Sequence, residues 1–305
     1  MDARLPPELE REIFETTALV HRASIPAMLL VARRVLVWIE PFLYYSLKIG
    51  IPKPARAGVE DSAAESGSLH AALAKTDVFL RDSVRHLVLG SQFAQQLAQM
   101  PDAEKTKLSS MTNVEFLAIA GVSEDHAAEF LQLISAMPVR RLACYVEDII
   151  GRSGLVRGDP QTIAAIPIFR RVTHFDVFDD DSRFAEAVFA VLAHLPALTH
   201  LAISSEHVDE DDPQSTDNIK AFLAECPALQ ILVCLSPTGI LGANIEPVAM
   251  DEEIDIRFVS RGYTEWYEGV SYDTITFWDK AEAVVARRRA LAASKTPDNN
   301  VISGV

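Results

Sequence analysis

Leu198-Thr199-His200-Leu201-Ala202-Ile203 is one of six variants of the same short motif, and this repetition indicates the fold of the chain. Each variant, called here the strand motif, has an apolar residue, two variable residues, Leu or Phe, one further residue and a last apolar residue. The central residues stand 25 to 33 positions apart, and they are Leu87, Leu117, Leu142, Phe175, Leu201 and Leu232. A short strand repeated at this period is typical of a stacked array, in which each unit buries its core against its neighbours.

Helical segments precede the strand motifs. Capping residues are expected at Ser123-Glu124-Asp125, Asp181-Ser182 and Asp217-Asn218, each followed by an amphipathic stretch and then by a proline. The order of helix, proline turn and strand predicts parallel strands joined by right-handed helical crossovers. We therefore predict an α/β fold in the form of an irregular solenoid, preceded by a small helical module.

Composition shifts divide the chain into four predicted parts. Residues 1–50 are expected to form a compact helical module, and residues 51–68, rich in Pro, Gly, Ala and Ser, a linker. The repeat array is predicted over 69–260, from a helix over 69–81 to a last strand at Ile254–Val259. Residues 261–305 are expected to cap the array, with a basic helix over about 277–292 and a frayed tail.

Charge and cysteine usage limit the classes of partner and compartment. Residues 174–273 hold 4 basic and 20 acidic side chains, a net charge of −16 in a chain whose total is −15. Nucleic acid is therefore not an expected partner, since phosphate binding requires a basic surface. The acidic half is interpreted either as a docking surface for a basic protein or as loops kept soluble by carboxylates. Three unpaired cysteines favour the cytoplasm or nucleus, and they are Cys144, Cys226 and Cys234.

No membrane partner is expected either. The most apolar stretch, residues 25–51, is interrupted by Arg33, Arg34, Glu40 and Pro41, whereas a membrane span needs about 20 nearly uncharged residues. This stretch is interpreted as a buried or partner-facing helix.

The alternation of a strand predicts which side chains face a ligand. The residue before each central residue defines a first outward column, namely His86, Phe116, Arg141, His174, His200 and Ile231. The residue after it defines a second outward column, namely Val88, Ala118, Ala143, Asp176, Ala202 and Val233. An exposed stripe of small apolar residues would mark a partner-binding site. The alternative is that loops or the C-terminal segment cover this face. The expected partner-binding residues are Phe116, Arg141, Tyr145, His174, Asp176, Phe178 and His200.

Catalytic chemistry is not expected. His174, Asp176 and His200 share a face, and Asp179, Asp180 and Asp181 follow, but no metal-ligand spacing supports a metal site. Glycine-rich phosphate loops and a nucleophile elbow are also absent from the sequence. We therefore predict a non-enzymatic protein with no catalytic residues, no metal and no cofactor.

The N-terminal residues resemble an F-box or F-box-like module. The matching residues are Leu5, Pro6, Glu8, Leu9, Ile13, Leu29-Leu30-Val31, Arg33, Arg34, Trp38, Pro41, Leu43 and Tyr44. The strand motifs over about 80–260 resemble a divergent leucine-rich-repeat array. Asn is expected after each strand of such an array, but Gln92, Val122, Asp180, Glu206 and Pro237 stand there instead. The whole chain is similar to F-box-like leucine-rich-repeat proteins of mushroom-forming fungi.

This resemblance implies the substrate-receptor subunit of a Skp–cullin–F-box ubiquitin ligase, which would bind an unidentified protein substrate. Matched position by position, the surface for a Skp-type adaptor would comprise Leu5, Pro6, Leu9, Ile13, Val31 and Trp38. About 45 residues are too few to bury all of these apolar side chains alone. The alternative is a free-standing scaffold, in which the N-terminal helices only cap the solenoid.

Overall fold

The structure, a computed structural model, describes residues 5–50, 71–122, 124–151, 154, 157–179, 185–204, 213–236, 254–263, 265–266 and 277–295. The chain divides into two compact units, residues 1–152 and residues 153–305. Both units are α/β, with parallel strands and helices between strands.

The first unit begins with helices and continues as alternating strands and helices. Its helices are α1 (Pro7–Val20), α2 (Ile25–Met28), α3 (Arg33–Leu43), α4 (Asp77–Ser83), α5 (Gln92–Gln99), α6 (Asp102–Ser109), α7 (Ala127–Ile134) and α8 (Val146–Ile150). Its strands are β1 (Ser46–Ile49), β2 (His86–Leu89), β3 (Phe116–Ile119) and β4 (Arg141–Cys144). These strands lie in sequence order, and each pairs in parallel with the next.

The second unit repeats this organisation. Its helices are α9 (Pro160–Ala164), α10 (Ala185–Ala193), α11 (Pro213–Glu225) and α12 (Phe277–Lys295). Its strands are β5 (His174–Val177), β6 (His200–Ser204), β7 (Ile231–Ser236) and β8 (Phe258–Gly262), again parallel and in sequence order.

The pairing register confirms the alignment of the three strand motifs within each unit. Leu87 pairs with Leu117 and Leu117 with Leu142, while Phe175 pairs with Leu201 and Leu201 with Leu232. All six central residues are fully buried. Because burying a large apolar side chain contributes about 1.5–3 kcal/mol, these rows are a major part of each unit's core.

The N-terminal helices have a small core of their own. The helix α1 starts with a proline in its first turn and acidic Glu8 and Glu10 near its N-terminus, as expected for that end of a helix. The buried side chains of this core are Ala18, Ile25, Met28, Val35 and Ile39, with Phe14, Leu29, Ala32, Trp38 and Phe42 packed against them. Arg34 of α3 also forms an ion pair with Glu10 of α1 at 2.7 Å.

The prediction that residues 1–50 are wholly helical is wrong at residues 46–49. These residues form strand β1, which pairs with β2 through Leu47↔Leu87 and Ile49↔Leu89. Leu47 and Ile49 are buried while Ser46 and Lys48 are half-buried, so the alternation of a strand determines the conformation here. The N-terminal module therefore ends inside the sheet of the first unit.

The apolar stretch over residues 25–51 is divided among α2, α3 and β1. Within the part of the chain that the structure describes, no helix has both the length and the apolar character needed to cross a membrane.

Several predicted boundaries differ from the structure. The helix predicted to be capped at Asp217 begins four residues earlier at Pro213, a residue that suits a first turn. Over the range of the predicted first array helix, residues 71–73 are helical, a turn follows, and α4 begins at Asp77, where the Thr76 hydroxyl accepts a hydrogen bond from the Phe79 N–H. The last strand begins at Phe258, four residues later than predicted, and ends at Gly262, three residues later. The predicted caps at Ser123 and Asp181-Ser182 lie outside the described residues.

An aspartate supplies one of the loop hydrogen bonds for which no asparagine is present. The Gly121 N–H, just after β3, donates to Asp148 Oδ2 on α8 at 2.8 Å. Gly121 has φ of 78°, and a Cβ atom there would lie 2.9 Å from Ser91 Cα. Both the left-handed conformation and the close backbone approach require glycine at this position.

Candidate interaction surfaces

The first candidate surface lies on α1. Leu5, Leu9 and Ile13 are 57%, 48% and 51% exposed, although they are large apolar residues. Their spacing of four residues places Leu9 and Ile13 on one face of the helix. Since the small core of the module is formed by other side chains, this face is not needed for that core.

The six residues predicted to contact an adaptor fall into two groups. Leu5, Pro6, Leu9, Ile13 and Val31 are exposed. Trp38 is half-buried against the core of the N-terminal helices, so at least part of this side chain stabilises the module itself. Further exposed large apolar residues of this module were not predicted, and they are Leu19, Val20, Leu30, Leu36, Val37 and Leu43.

The second candidate surface is a row of rings and cations beside the strands of the first unit. Arg22 lies over the Tyr45 ring at 5.0 Å, and Tyr45 contacts His86 edge to face at 4.8 Å. His86 in turn contacts Phe116 at 5.5 Å, and Arg141 lies over the Phe116 ring at 4.8 Å. The predicted partner-binding residues Phe116 and Arg141 are thus adjacent, but Phe116 is buried among its neighbours.

The second outward column is buried in both units. Val88, Ala118 and Ala143 are buried in the first unit. Asp176, Ala202 and Val233 are buried in the second. The register of pairing keeps each set in one row, as predicted. This column is therefore not an exposed apolar stripe.

Side chains from the C-terminal segment cover the outward face of β5 and β6. Trp266 donates from Nε1 to Asp176 Oδ2 at 2.8 Å, a bond in which both residues are buried. Phe178 packs edge to face against Trp266 at 4.7 Å and against Tyr263 at 6.0 Å. Two interpretations of this face were predicted. At Asp176 and Phe178, the C-terminal segment covers it.

The two histidines of the first outward column form a stacked pair in the second unit. The rings of His174 and His200 lie 4.1 Å apart with 9° between their planes. Trp278 contacts both rings edge to face, at 5.4 Å in each case. Each ring is also held at Nδ1 by the hydroxyl of the preceding threonine, Thr173 at 2.9 Å and Thr199 at 2.8 Å.

A carboxylate from α12 completes this histidine cluster. Glu282 Oε1 lies 3.3 Å from His200 Nε2, and His174, His200 and Glu282 each offer one ligand atom within 4.8 Å of the others. Burial of His200 lowers its pKa to about 4, because removal from water disfavours the charged ring. The sequence grouping of His174 with Asp176 and His200 missed Glu282 and included Asp176, which bonds to Trp266 instead.

The remaining predicted residues are not members of this cluster. Tyr145 is half-buried and directly precedes α8 in the first unit. Asp179 is buried, and Asp180 and Asp181 lie outside the described residues.

A scan of the sequence against protein-family models found no matching family, and a search of curated proteins found no match.

Proposed function

We propose that this chain is a non-catalytic protein–protein interaction protein whose N-terminal helices bind a Skp-type adaptor. In this proposal it is the substrate-receptor subunit of a Skp–cullin–F-box ubiquitin ligase. The observation that carries the proposal is the exposed apolar face of α1 formed by Leu9 and Ile13, together with the exposed Leu5 just before the helix. The resemblance of residues 5–44 to an F-box-like module supplies the class of partner.

The N-terminal module leaves Leu9 and Ile13 partly exposed to water. Each large apolar side chain gains about 1.5–3 kcal/mol on full burial, and these side chains are about half exposed. A partner that covers Leu9 and Ile13 would recover roughly half of that free energy at each position. The buried core of a protein–protein interface is more apolar than the rest of the protein surface, which suits side chains of this kind.

A second candidate function is a free-standing leucine-rich-repeat scaffold whose N-terminal segment caps the array. The pairing of β1 with β2 favours this candidate, because that strand extends the sheet by one member. The ion pair between Lys75 and Glu40 at 2.7 Å and the contact of Tyr44 with Phe79 add further links between α3 and the α4 region. Deleting residues 1–50 would remove β1 together with the helices, so such a deletion does not separate docking from capping.

Point variants on α1 distinguish adaptor docking from capping of the array. In a pull-down with a purified Skp-type adaptor, the wild-type chain is expected to bind, and Leu9→Asp/Ile13→Asp is expected to lose binding. Val78→Asp is the matched control, since Val78 is 56% exposed and belongs to α4, not to the proposed surface on α1. Far-UV circular dichroism checks that all three proteins are folded. Failure of the folded wild-type chain to bind the adaptor would overturn the ligase proposal and leave the scaffold.

A further inference from the structure

The row of rings and cations in the first unit ends in a guanidinium on each side. Arg22 lies over the Tyr45 ring at 5.0 Å, and Arg141 lies over the Phe116 ring at 4.8 Å. His86 contacts both rings edge to face. Arg22, Tyr45, His86 and Arg141 are half-buried, so packing holds these side chains in place while solvent still reaches them.

This face of the first unit is positively charged. The described outward positions of β1–β4 include no carboxylate, and they are Ser46, Lys48, His86, Val88, Phe116, Ala118, Arg141 and Ala143. One residue before the first outward column, Arg85, Glu115 and Arg140 are linked in order by backbone hydrogen bonds, and their summed charge is also positive. In the second unit, by contrast, Asp176 occupies an outward position. Because interfaces pair opposite charges, a partner of this face is expected to be acidic.

Both arginines of the row are suited to binding a carboxylate. A guanidinium carries five N–H donors in its plane, and a ring contact does not use up these donors. Arg22 and Arg141 can therefore keep their contacts within the fold and still donate to an acidic group. The ring contacts also restrict both side chains, so less conformational entropy is lost when a carboxylate binds.

We propose that this row binds an acidic peptide segment in an extended conformation, with one carboxylate at Arg22 and a second at Arg141. Arg141 lies on β4 and Arg22 packs on the residue just before β1, so about three inter-strand spacings, roughly 14 Å, separate them. An extended chain advances about 3.3 Å per residue, so the two acidic residues stand about four positions apart. The segment crosses the strands, over the rings of Tyr45, His86 and Phe116.

Charge favours an acidic protein segment over nucleic acid as the occupant. The full chain has a net charge of −15, which repels a polyphosphate backbone, whereas a short peptide with two carboxylates meets the cations of this row. The inference rests on the proposed function for its biological meaning, since a substrate receptor would select proteins that carry such a segment. In that role the strands of the first unit bind the substrate while α1 binds the adaptor.

The test is a fluorescence-anisotropy titration of the full chain with a labelled synthetic peptide in which three serines separate two glutamates. We expect saturable binding that weakens as the salt concentration rises. Arg22→Gln and Arg141→Gln should each weaken binding about tenfold, because each removes a charge-assisted hydrogen bond. Arg81→Gln is the matched control, since it removes one exposed cation from α4 and should bind like the wild type.

A second peptide tests the spacing, and circular dichroism verifies that each variant is folded. The same peptide with its two glutamates adjacent should bind several-fold more weakly, because it cannot reach Arg22 and Arg141 together. No saturable binding by the folded wild type, equal binding of the two peptides, or an equal loss with Arg81→Gln would overturn the proposal. Binding of a phosphoserine version alone would also overturn it. The titration contains no adaptor, so its failure is distinct from failure of the adaptor pull-down.

Discussion

The guanidinium of Arg257 is held by the carboxylate of Asp255 through two hydrogen bonds, Nε to Oδ1 and Nη2 to Oδ2, each of 2.9 Å. From this position Arg257 donates to three backbone carbonyls at and beyond the end of α11, those of Leu223, Cys226 and Leu229. Leu223 lies in the last turn of α11 and the other two residues follow it, and carbonyls at a helix C-terminus lack intrahelical donors. The pair therefore ends α11 and joins it to the turn before β8.

Replacing Arg257 should destabilise the second unit. Arg257→Met keeps the aliphatic stem but removes the donors to three carbonyls, and we expect a loss of about 2–4 kcal/mol in the free energy of unfolding. Urea denaturation monitored by circular dichroism measures this change. Arg287→Met, at an exposed position on α12, is the control and should change stability by less than about 0.5 kcal/mol. Equal stabilities of the two variants would contradict this account of Arg257.

The same pair predicts a pH dependence of stability. The hydrogen bond from the Arg257 side chain lowers the pKa of Asp255 below its ordinary value. A carboxyl whose folded pKa is lowered contributes stability that is present above its unfolded pKa of about 3.9 and is lost as the pH falls through the folded pKa. The stability difference between the wild type and Asp255→Asn should thus be constant from pH 7 to 5. It should shrink below about pH 4. A difference that does not change across this range would be inconsistent with the lowered pKa.

Substitution of Gly121 should be costly despite its position in a loop. Gly121→Ala places a methyl group 2.9 Å from Ser91 Cα and imposes a positive φ on an L-residue. The expected loss in the free energy of unfolding is about 1–3 kcal/mol. Asp148→Asn is a useful comparison, because the amide oxygen can still accept from the Gly121 N–H and the loss should be smaller. Thermal unfolding of both variants measures the difference, and an unchanged Tm for Gly121→Ala would contradict the prediction.

The contact between Arg141 and Phe116 should be measurable as a coupling energy. A double-mutant cycle with Arg141→Ala and Phe116→Leu is expected to give about 0.5–1 kcal/mol, since the cation lies 4.8 Å from the ring centre. The neighbouring Arg140 is exposed and serves as the control. The same cycle with Arg140→Ala should give a coupling near zero. Coupling energies of equal size in both cycles would show that the Phe116 ring does not interact preferentially with Arg141.

Strand register was predictable from the sequence wherever the spacing of the motifs was regular. Tyr44-Tyr45-Ser46-Leu47-Lys48-Ile49 fits the same strand motif, yet β1 was missed because Leu47 precedes Leu87 by 40 residues, outside the period of the others. The start of β8 was misplaced for a different reason. Asp255 occupies the position at which the motif requires an apolar residue, since its carboxylate is used to hold Arg257.

The candidate sites were less predictable, because their partners are distant in sequence. The pairing of His174 with His200 follows from the strand register alone. The addition of Glu282 depends on how α12 packs, which no local pattern specifies. Phe277-Trp278 at the start of that helix was the available signal, since two large aromatic residues there favour burial against another element.

The bond between Trp266 and Asp176 also has a consequence for the order in which the chain folds. The two residues are 90 positions apart, so the outward face of β5 is completed only after about three quarters of the second unit has been synthesised. Contacts of such long sequence separation form slowly, because a large loop must close first. Asp176, His174 and His200 are polar, and during this interval they keep water on a strand face that would otherwise expose apolar side chains. We therefore expect the nascent chain to expose less apolar, aggregation-prone surface on this face before the C-terminal segment packs against it.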